Sequence, residues 1–376
     1  MSTRNDSGSH IPSLDGIRAI AFLLVYVSHI GLGGIVPGGF GVTIFFFLSG
    51  YLITTLMRQE SAKSGDISLK AFYIRRAFRI LPPMYITLAL TCFLVAIGVS
   101  SGPIGPGGIL SSLLYVNNYY VLLAVLFGHV ITLARGMSVL WSLAIEEQFY
   151  LLFPFVYMLF LKKKVPRSVQ GNLLFAACLV ALLWRILLVF AVHSPTSGPV
   201  PWTYIATDCR FDAIAWGCLL ALRHNPRCND SSRFFDKYAA KLALGGLILI
   251  VFSLIFRDPT YRETLRYTIQ ELSLYPIFYY CIAFSYKPQI AWLEWGVLRW
   301  IGWLSYSLYL IHEVILDALE RTFPSIGVAG AFLALALALL YASVMRAAVE
   351  NPLRTLRPRV EKLLLPRRAS LKTTST

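Results

Sequence analysis

The sequence is poor in charge and poor in cysteine. Only 14% of its 376 residues are charged, and acids are the scarcer kind, 19 against 34 lysines and arginines. With 57% hydrophobic residues and a mean hydropathy of +0.64, so few charges exclude a set of soluble domains, and the chain reads as a polytopic membrane protein. Six cysteines (Cys92, Cys178, Cys209, Cys218, Cys228 and Cys281) stand singly, mostly in apolar segments. That excludes a disulfide framework or a close-paired metal site and leaves them as small core residues. No small-residue cleavage pattern follows the first apolar stretch, only GGIVPGG and another apolar segment; no signal peptide is expected, and the stretch stays as a span. The glycines of GGFGVTIFFFLSGYLI lack phosphate-loop spacing and suit close helix packing. Ser49, in LSGY, has no base near it in sequence and is a poor candidate nucleophile.

What is abundant is apolar length. Windows of about twenty residues fall near 15–35, 41–57, 80–98, 139–161, 171–192, 204–222, 240–256, 266–286, 297–317 and 326–347. The expected fold class is all-α, a polytopic transmembrane helical bundle of about ten spans. Segment 108–133 is also apolar but holds Asn117, Asn118, Tyr119, Tyr120 and His129; it reads as a re-entrant or interfacial piece.

The net charge of +15 would suggest nucleic acid only if the cations formed one patch, and they do not. With the N-terminus in the cytoplasm, most lysines and arginines fall in inner connections: MRQESAKSGDISLKAFYIRR, KKKVPR, RHNPRCNDSSRFFDKYAAK and everything from Arg346 onward. This asymmetry predicts a multi-pass protein of the inner (plasma) membrane with both termini cytoplasmic. It divides the chain into a cytoplasmic N-terminal tail at 1–13, a membrane domain at 14–354 and a basic, lipid-facing cytoplasmic tail at 355–376 that ends in disorder.

Ionisable residues inside spans are candidates for function because hydrocarbon cannot solvate them. In LDGIRAIAFLLVYVSHIGLGG, eleven residues separate Arg18 from His29, which returns them to nearly one helix face, roughly 16 Å apart. The orientation puts His29, Glu146 and Glu147, Arg185, Asp208, Arg210, Asp212, His312 and Glu313 all in the outer half, as expected of a shared polar chamber open to the outside. Arg75, Arg76 and Arg79, in FYIRRAFRILPPMY, sit at the inner mouth with Arg18 near their level; Arg76 and Arg79, at i and i+3, share a face and can grip one anion.

Each motif has a plainer alternative. His29 could be a satisfied buried histidine, and Asp15 only the first-turn acid of its helix. The arginines could be positive-inside anchors. Glu146 and Glu147 could pair with Arg185 or Arg210, and Asp212 with either arginine. His312 could be interfacial, bonded by the Ser and Tyr residues of SYSLYLIHEV. A proton-coupled transporter using His29 and the carboxylates as a relay would call for an internal repeat and polar groups at the midplane. No repeat is visible, and the polar groups cluster outward.

LDGIRAIAFLLVYVSHI, FFFLSGYLIT, FYIRRAFRILPPMY, WSLAIEEQFYLLFP, RFDAIAWGCLLA, SYSLYLIHEVI and ENPLR follow one another in an order that resembles the membrane acyltransferase 3 family, from about Leu14 to Arg354. The resemblance implies an enzyme, an acyl-CoA-dependent O-acyltransferase. It would move an acyl group, usually acetyl, from cytoplasmic acyl-CoA to a hydroxyl of an extracytoplasmic acceptor such as a surface polysaccharide; a small metabolite such as a macrolide is the alternative acceptor. The family's Arg, ten residues, His pattern falls on Arg18 and His29, its Arg-x-x-Arg on Arg76 and Arg79, and its glutamate motif on Glu146 and Glu147. Arg75, Arg76 and Arg79 would hold the CoA phosphates beside Arg18. His29 would be the general base or form an acyl-histidine, with Glu146 or Glu147 orienting it or binding sugar hydroxyls, and Arg185, Arg210, Asp212 and His312 on the acceptor side. Acyl-CoA, a hydroxyl acceptor and membrane lipids are the expected partners; no metal and no nucleic acid are. Longer relatives carry an SGNH-type hydrolase domain after the last span, and this chain, ending about twenty residues past ENPLR, is similar to the stand-alone members.

Overall fold

The computed structural model describes residues 11–191, 201–228, 230, 232–325 and 327–364, and within these it is helical, with no strand. In chain order the helices are α1 (Pro12–Val27), α2 (Gly38–Ser64), α3 (Leu69–Ala96), α4 (Pro106–Leu113), α5 (Asn117–Leu126), α6 (Leu140–Lys162), α7 (Arg167–Phe190) and α8 (Trp202–Ile205). They continue with α9 (Thr207–Arg223), α10 (Arg233–Ile255), α11 (Pro259–Glu263), α12 (Leu265–Ala283), α13 (Pro288–Ala291), α14 (Gly296–Thr322), α15 (Gly327–Met345) and α16 (Asn351–Leu364).

Seven segments, built on α1, α2, α3, α6, α7, α10 and α15, are long and apolar enough to cross a membrane. The other three apolar windows are also helical, as α9, α12 and α14, but α9 has only 17 residues and the three carry buried ionisable side chains that dilute their hydropathy. A count of ten is therefore not established by length and composition. Helices α4 and α5, of 8 and 10 residues, overlap the segment read as re-entrant or interfacial, α4 starting two residues before it; at about 1.5 Å per residue neither can span a core of about 30 Å. Two boundaries move. Helix α3 begins eleven residues before its apolar window, at a Ser68 cap whose Oγ accepts from the Ala71 amide, and the final helix runs on to Leu364, into the stretch read as a tail. The disorder expected at its end, and most of the 1–13 tail, lie outside the described residues.

In a lipid-embedded bundle, helices associate through close packing of small residues more than through the hydrophobic effect. Helix α2 is the central one, 72% buried over its apolar window against 28% for α7, α10 and α15. It lies against α9 where a Cβ on Gly50 would come 1.9 Å from the Ile214 carbonyl oxygen. Helices α1 and α14 pack as closely, since a Cβ on Gly302 would stand 2.0 Å from the Asp15 carbonyl oxygen. On the far side of α14, helix α15 buries Gly330, Ala334, Ala338 and Ala342, a four-residue stripe of small side chains. Helices α1 and α14 meet at Asp15 and Gly302 and again at His29 and His312, so they run parallel, and this pair positions the site.

Candidate functional site

Two cavities among the described residues gather most of the candidate side chains. The larger, about 510 Å³, is lined by Arg18, Arg75, Arg76, Arg79, Arg227, Arg354 and Arg357, and also by Ser49, Glu146, Glu147 and Tyr150. Arg18, Arg75 and Arg76 are each held in place. Arg18 donates to Asp15 Oδ1 at 3.0 Å, and Asp15 Oδ2 accepts from the Trp303 indole at 2.9 Å. Glu60 accepts from the Ser68 amide at 2.8 Å and from Arg75 at 2.9 Å, which ties the turn between α2 and α3 to the cavity rim. The Arg76 guanidinium lies over the Tyr150 ring, 3.9 Å from its centroid, a cation–π contact that fixes it while leaving donors free. Glu146 accepts from Ser49 Oγ at 2.9 Å and from Tyr150 Oη at 3.4 Å.

Glu146 and Glu147 were expected beside His29, in a chamber at the other end. They line the arginine cavity instead. Glu146 is six residues into α6, roughly 9 Å along its axis, and from there it faces Ser49 of α2. Ser49, set aside as a nucleophile, thus serves to orient a carboxylate.

The second cavity, about 380 Å³, is lined by His29, Arg135, Val139, Trp141, Tyr204 and Tyr309, among others. The last turn of the first helix widens to a π-type turn over Ser28–Leu32, and Gly31 adopts φ 92°, left-handed backbone open to glycine. Such turns are frequent at functional sites, and this one brings His29 to His312. His29 Nδ1 lies 2.9 Å from His312 Nε2 and 3.1 Å from Glu313 Oε2. The two ring planes are within 7° of parallel; with nitrogens that close, the rings cannot be stacked face to face and must lie edge to edge. His312 Nδ1 faces the carbonyl oxygens of Tyr309 at 2.8 Å and Leu308 at 3.3 Å. A carbonyl only accepts, so Nδ1 of His312 carries the proton and its Nε2 accepts from His29 Nδ1–H. This assigns the tautomer of His29 through its partners and leaves Nε2 as its basic nitrogen. His312 is completely buried, which replaces the interfacial reading of its segment.

Glu313 is held from the other side. Arg135 donates to Glu313 Oε1 at 3.2 Å and to Glu320 at 2.7 Å, and lies 3.7 Å from Asp317. Asp317 also accepts from the Ser101 amide at 2.6 Å and from the hydroxyls of Ser100 and Ser101.

His29, His312 and Glu313 present ligand atoms within 4.8 Å of one another, as a metal site would. Their directions do not suit one. The two ring nitrogens point at each other across 2.9 Å, the geometry of N–H···N, whereas an ion such as zinc needs about 2.0–2.1 Å to each nitrogen. The rings would have to turn.

Arg185, Arg210 and Asp212, expected on the acceptor side, line neither of these cavities. Arg185 pairs with Asp212 at 2.7 Å with both side chains fully buried. Arg185 also donates to the Thr264 carbonyl and Thr268, while Arg210 donates to Thr43 at 2.9 Å and stacks over Tyr267 at 3.8 Å. Buried Glu271, one helix away, interacts electrostatically with all three. Two basic and two acidic side chains thus cluster among α7, α9 and α12.

A family profile described as an acyltransferase domain matches residues 11–346. The chain belongs to the acyltransferase 3 family. Among its relatives, a peptidoglycan O-acetyltransferase of Listeria monocytogenes is 30% identical, over 94% of this chain and 57% of the relative. A putative O-acetyltransferase of Staphylococcus aureus is 30% identical over 92% of this chain and 57% of its own length. A putative peptidoglycan O-acetyltransferase of Bacillus subtilis is 30% identical over 82% and 49%. The chain spans about half the length of the curated relatives it matches. No solved structure matches it.

In this acyltransferase 3 chain, the sequence reading of the site gave no role to Glu313, Arg135 or Tyr309. Glu313 was signalled by its place beside His312 and Arg135 by being the one Lys or Arg between Arg79 and Lys162; Tyr309 was among the tyrosines of SYSLYLIHEV offered as partners of His312, but nothing in sequence signalled that it lines both cavities.

Proposed function

We propose that the protein is a membrane O-acetyltransferase that takes an acetyl group from acyl-CoA in the cytoplasm and passes it to a hydroxyl of a cell-wall glycan. The observation that carries this reading is the pair of cavities, one rich in arginine and one built around a tautomer-fixed histidine, which adjoin at Val42 and Tyr309. The asymmetry of lysine and arginine supports both termini in the cytoplasm and the arginine cavity opening there. It also supports α9, α12 and α14 as spans, making ten, in the inner membrane. The relatives' names support a peptidoglycan-type acceptor.

Arg76 and Arg79, with Arg75 and Arg18, would bind the CoA phosphates. Glu146 and Glu147, whose carboxyl oxygens accept, suit the pantetheine amide N–H groups deeper in the cavity better than phosphate. In the second cavity His29 Nε2 would remove the proton of the acceptor hydroxyl as its oxygen attacks the thioester carbonyl. The new C–O bond forms, the C–S bond breaks, and the sulfur leaves with the proton returned from His29, giving ester and free CoA thiol. His312 and Glu313 hold His29 in the competent tautomer and would stabilise the imidazolium. Arg185, Arg210 and Asp212 would fix the helices behind the acceptor cavity without touching acceptor.

Mass spectrometry of cell-wall glycans from cells with and without the gene tests the reading. Gene-dependent acetyl ester on a glycan hydroxyl is expected, and glycans of identical mass in both would overturn it.

A further inference from the structure

The two cavities share part of their lining. Val42 of α2 and Tyr309 of α14 line both, so whatever passes from the arginine cavity to His29 passes beside these two residues. Tyr309 is only 5% exposed and is anchored at both ends. Its Oη lies 2.7 Å from Ser142 Oγ and 3.3 Å from the Val139 carbonyl oxygen, which also accepts from Ser142 at 3.1 Å. Its own carbonyl accepts the Nδ1 proton of His312 at 2.8 Å. The Phe45 ring meets it edge-on at 6.0 Å. A ring pinned to α6 by its hydroxyl, with its centroid 5.5 Å from that of the His312 ring, cannot swing aside without breaking both contacts.

We propose that Tyr309, with Val42, is the gate between the donor cavity and His29 and sets the length of the acyl group that is transferred. This rests on the acyl-CoA reading above. The thioester carbonyl has to reach His29 with its acyl chain at the wall. An acetyl group adds only a methyl there, whereas each further methylene must find room against the fixed Tyr309 ring or the Val42 side chain. Discrimination by a rigid apolar wall amounts to about ten- to two-hundredfold per methylene. Tyr309 acts on chain length and not on CoA affinity, because the phosphate-binding arginines lie elsewhere in the larger cavity.

The test is release of free CoA thiol from acetyl-CoA and butyryl-CoA by the purified full chain in lipid nanodiscs with a glycan acceptor. The wild type should favour acetyl. Tyr309→Ala should raise the butyryl-to-acetyl ratio of kcat/KM by about tenfold or more, and Tyr309→Phe, which keeps the ring, should hold the wild-type ratio whatever its rate. Should Tyr309→Ala fail to accumulate, Val42→Phe thickens the same wall from α2 and should lower the ratio, while Val42→Ala should raise it. Ratios equal to wild type in Tyr309→Ala, or in both Val42 variants, would overturn the gate while leaving the donor assignment standing. A wild type that releases no CoA from either thioester would instead overturn the acyl-CoA reading and the gate with it.

Discussion

The rings of His29 and His312 lie edge to edge with His29 Nδ1 2.9 Å from His312 Nε2, and His312 is in turn fixed by the Tyr309 carbonyl. His312 is therefore a positioning residue for His29. His312→Ala should lower kcat by about a hundredfold, the cost of a misplaced reacting group, while the KM for acyl-CoA stays near wild type. Steady-state kinetics separates the two; a change confined to KM would contradict this role.

Arg76 and Arg79 share the donor cavity, and each is expected to contribute a charge-assisted hydrogen bond of about 1.5–3 kcal/mol. Arg76→Ala with Arg79→Ala should raise the KM for acyl-CoA by at least tenfold. An effect on acceptor KM alone would remove these residues from donor binding.

The Gly302 contact sets the distance between the helices that carry His29 and His312. Gly302→Val would put a Cβ 2.0 Å from the Asp15 carbonyl oxygen, and overpacking of this kind costs about 1–3 kcal/mol. Thermal unfolding in detergent should show a lower Tm for the variant, and an unchanged Tm would mean that the helices are not so close.

Arg185 and Asp212 form a fully buried ion pair. Removing one partner leaves an uncompensated charge, typically at a cost of about 3–5 kcal/mol. Arg185→Leu or Asp212→Leu should each lower Tm strongly, whereas the double variant should recover much of the loss, since it leaves neither member of the pair as an uncompensated charge. Simple additivity of the two single losses would count against the pair.

Much of the architecture was legible along the chain. Each apolar window is occupied by a helix, and the Arg18, Arg75, Arg76 and Arg79 group does line one cavity. Hydropathy and charge asymmetry report depth and direction, and these needed only that. Lateral neighbourhood was not legible. Glu146 and His29 were grouped because both seemed to lie in one half, yet α6 turns Glu146 towards Ser49 in the arginine cavity while α14 presents His312 and Glu313 to His29. Arg185, Arg210 and Asp212 were grouped with the acceptor for the same reason, although the packing of α7, α9 and α12 closes around them. Which helices touch depends on contacts such as Gly302 against Asp15, where two distant segments fit by shape.

The central claim is that acyl transfer runs through His29. It is tested most directly by acetyl-CoA consumption, read as free thiol, by purified protein in nanodiscs with a glycan acceptor, comparing wild type with His29→Ala. The account predicts turnover in the wild type and a fall of at least about a hundredfold in the variant, with the variant's Tm and CoA binding unchanged. Wild-type turnover by a folded His29→Ala protein would contradict it.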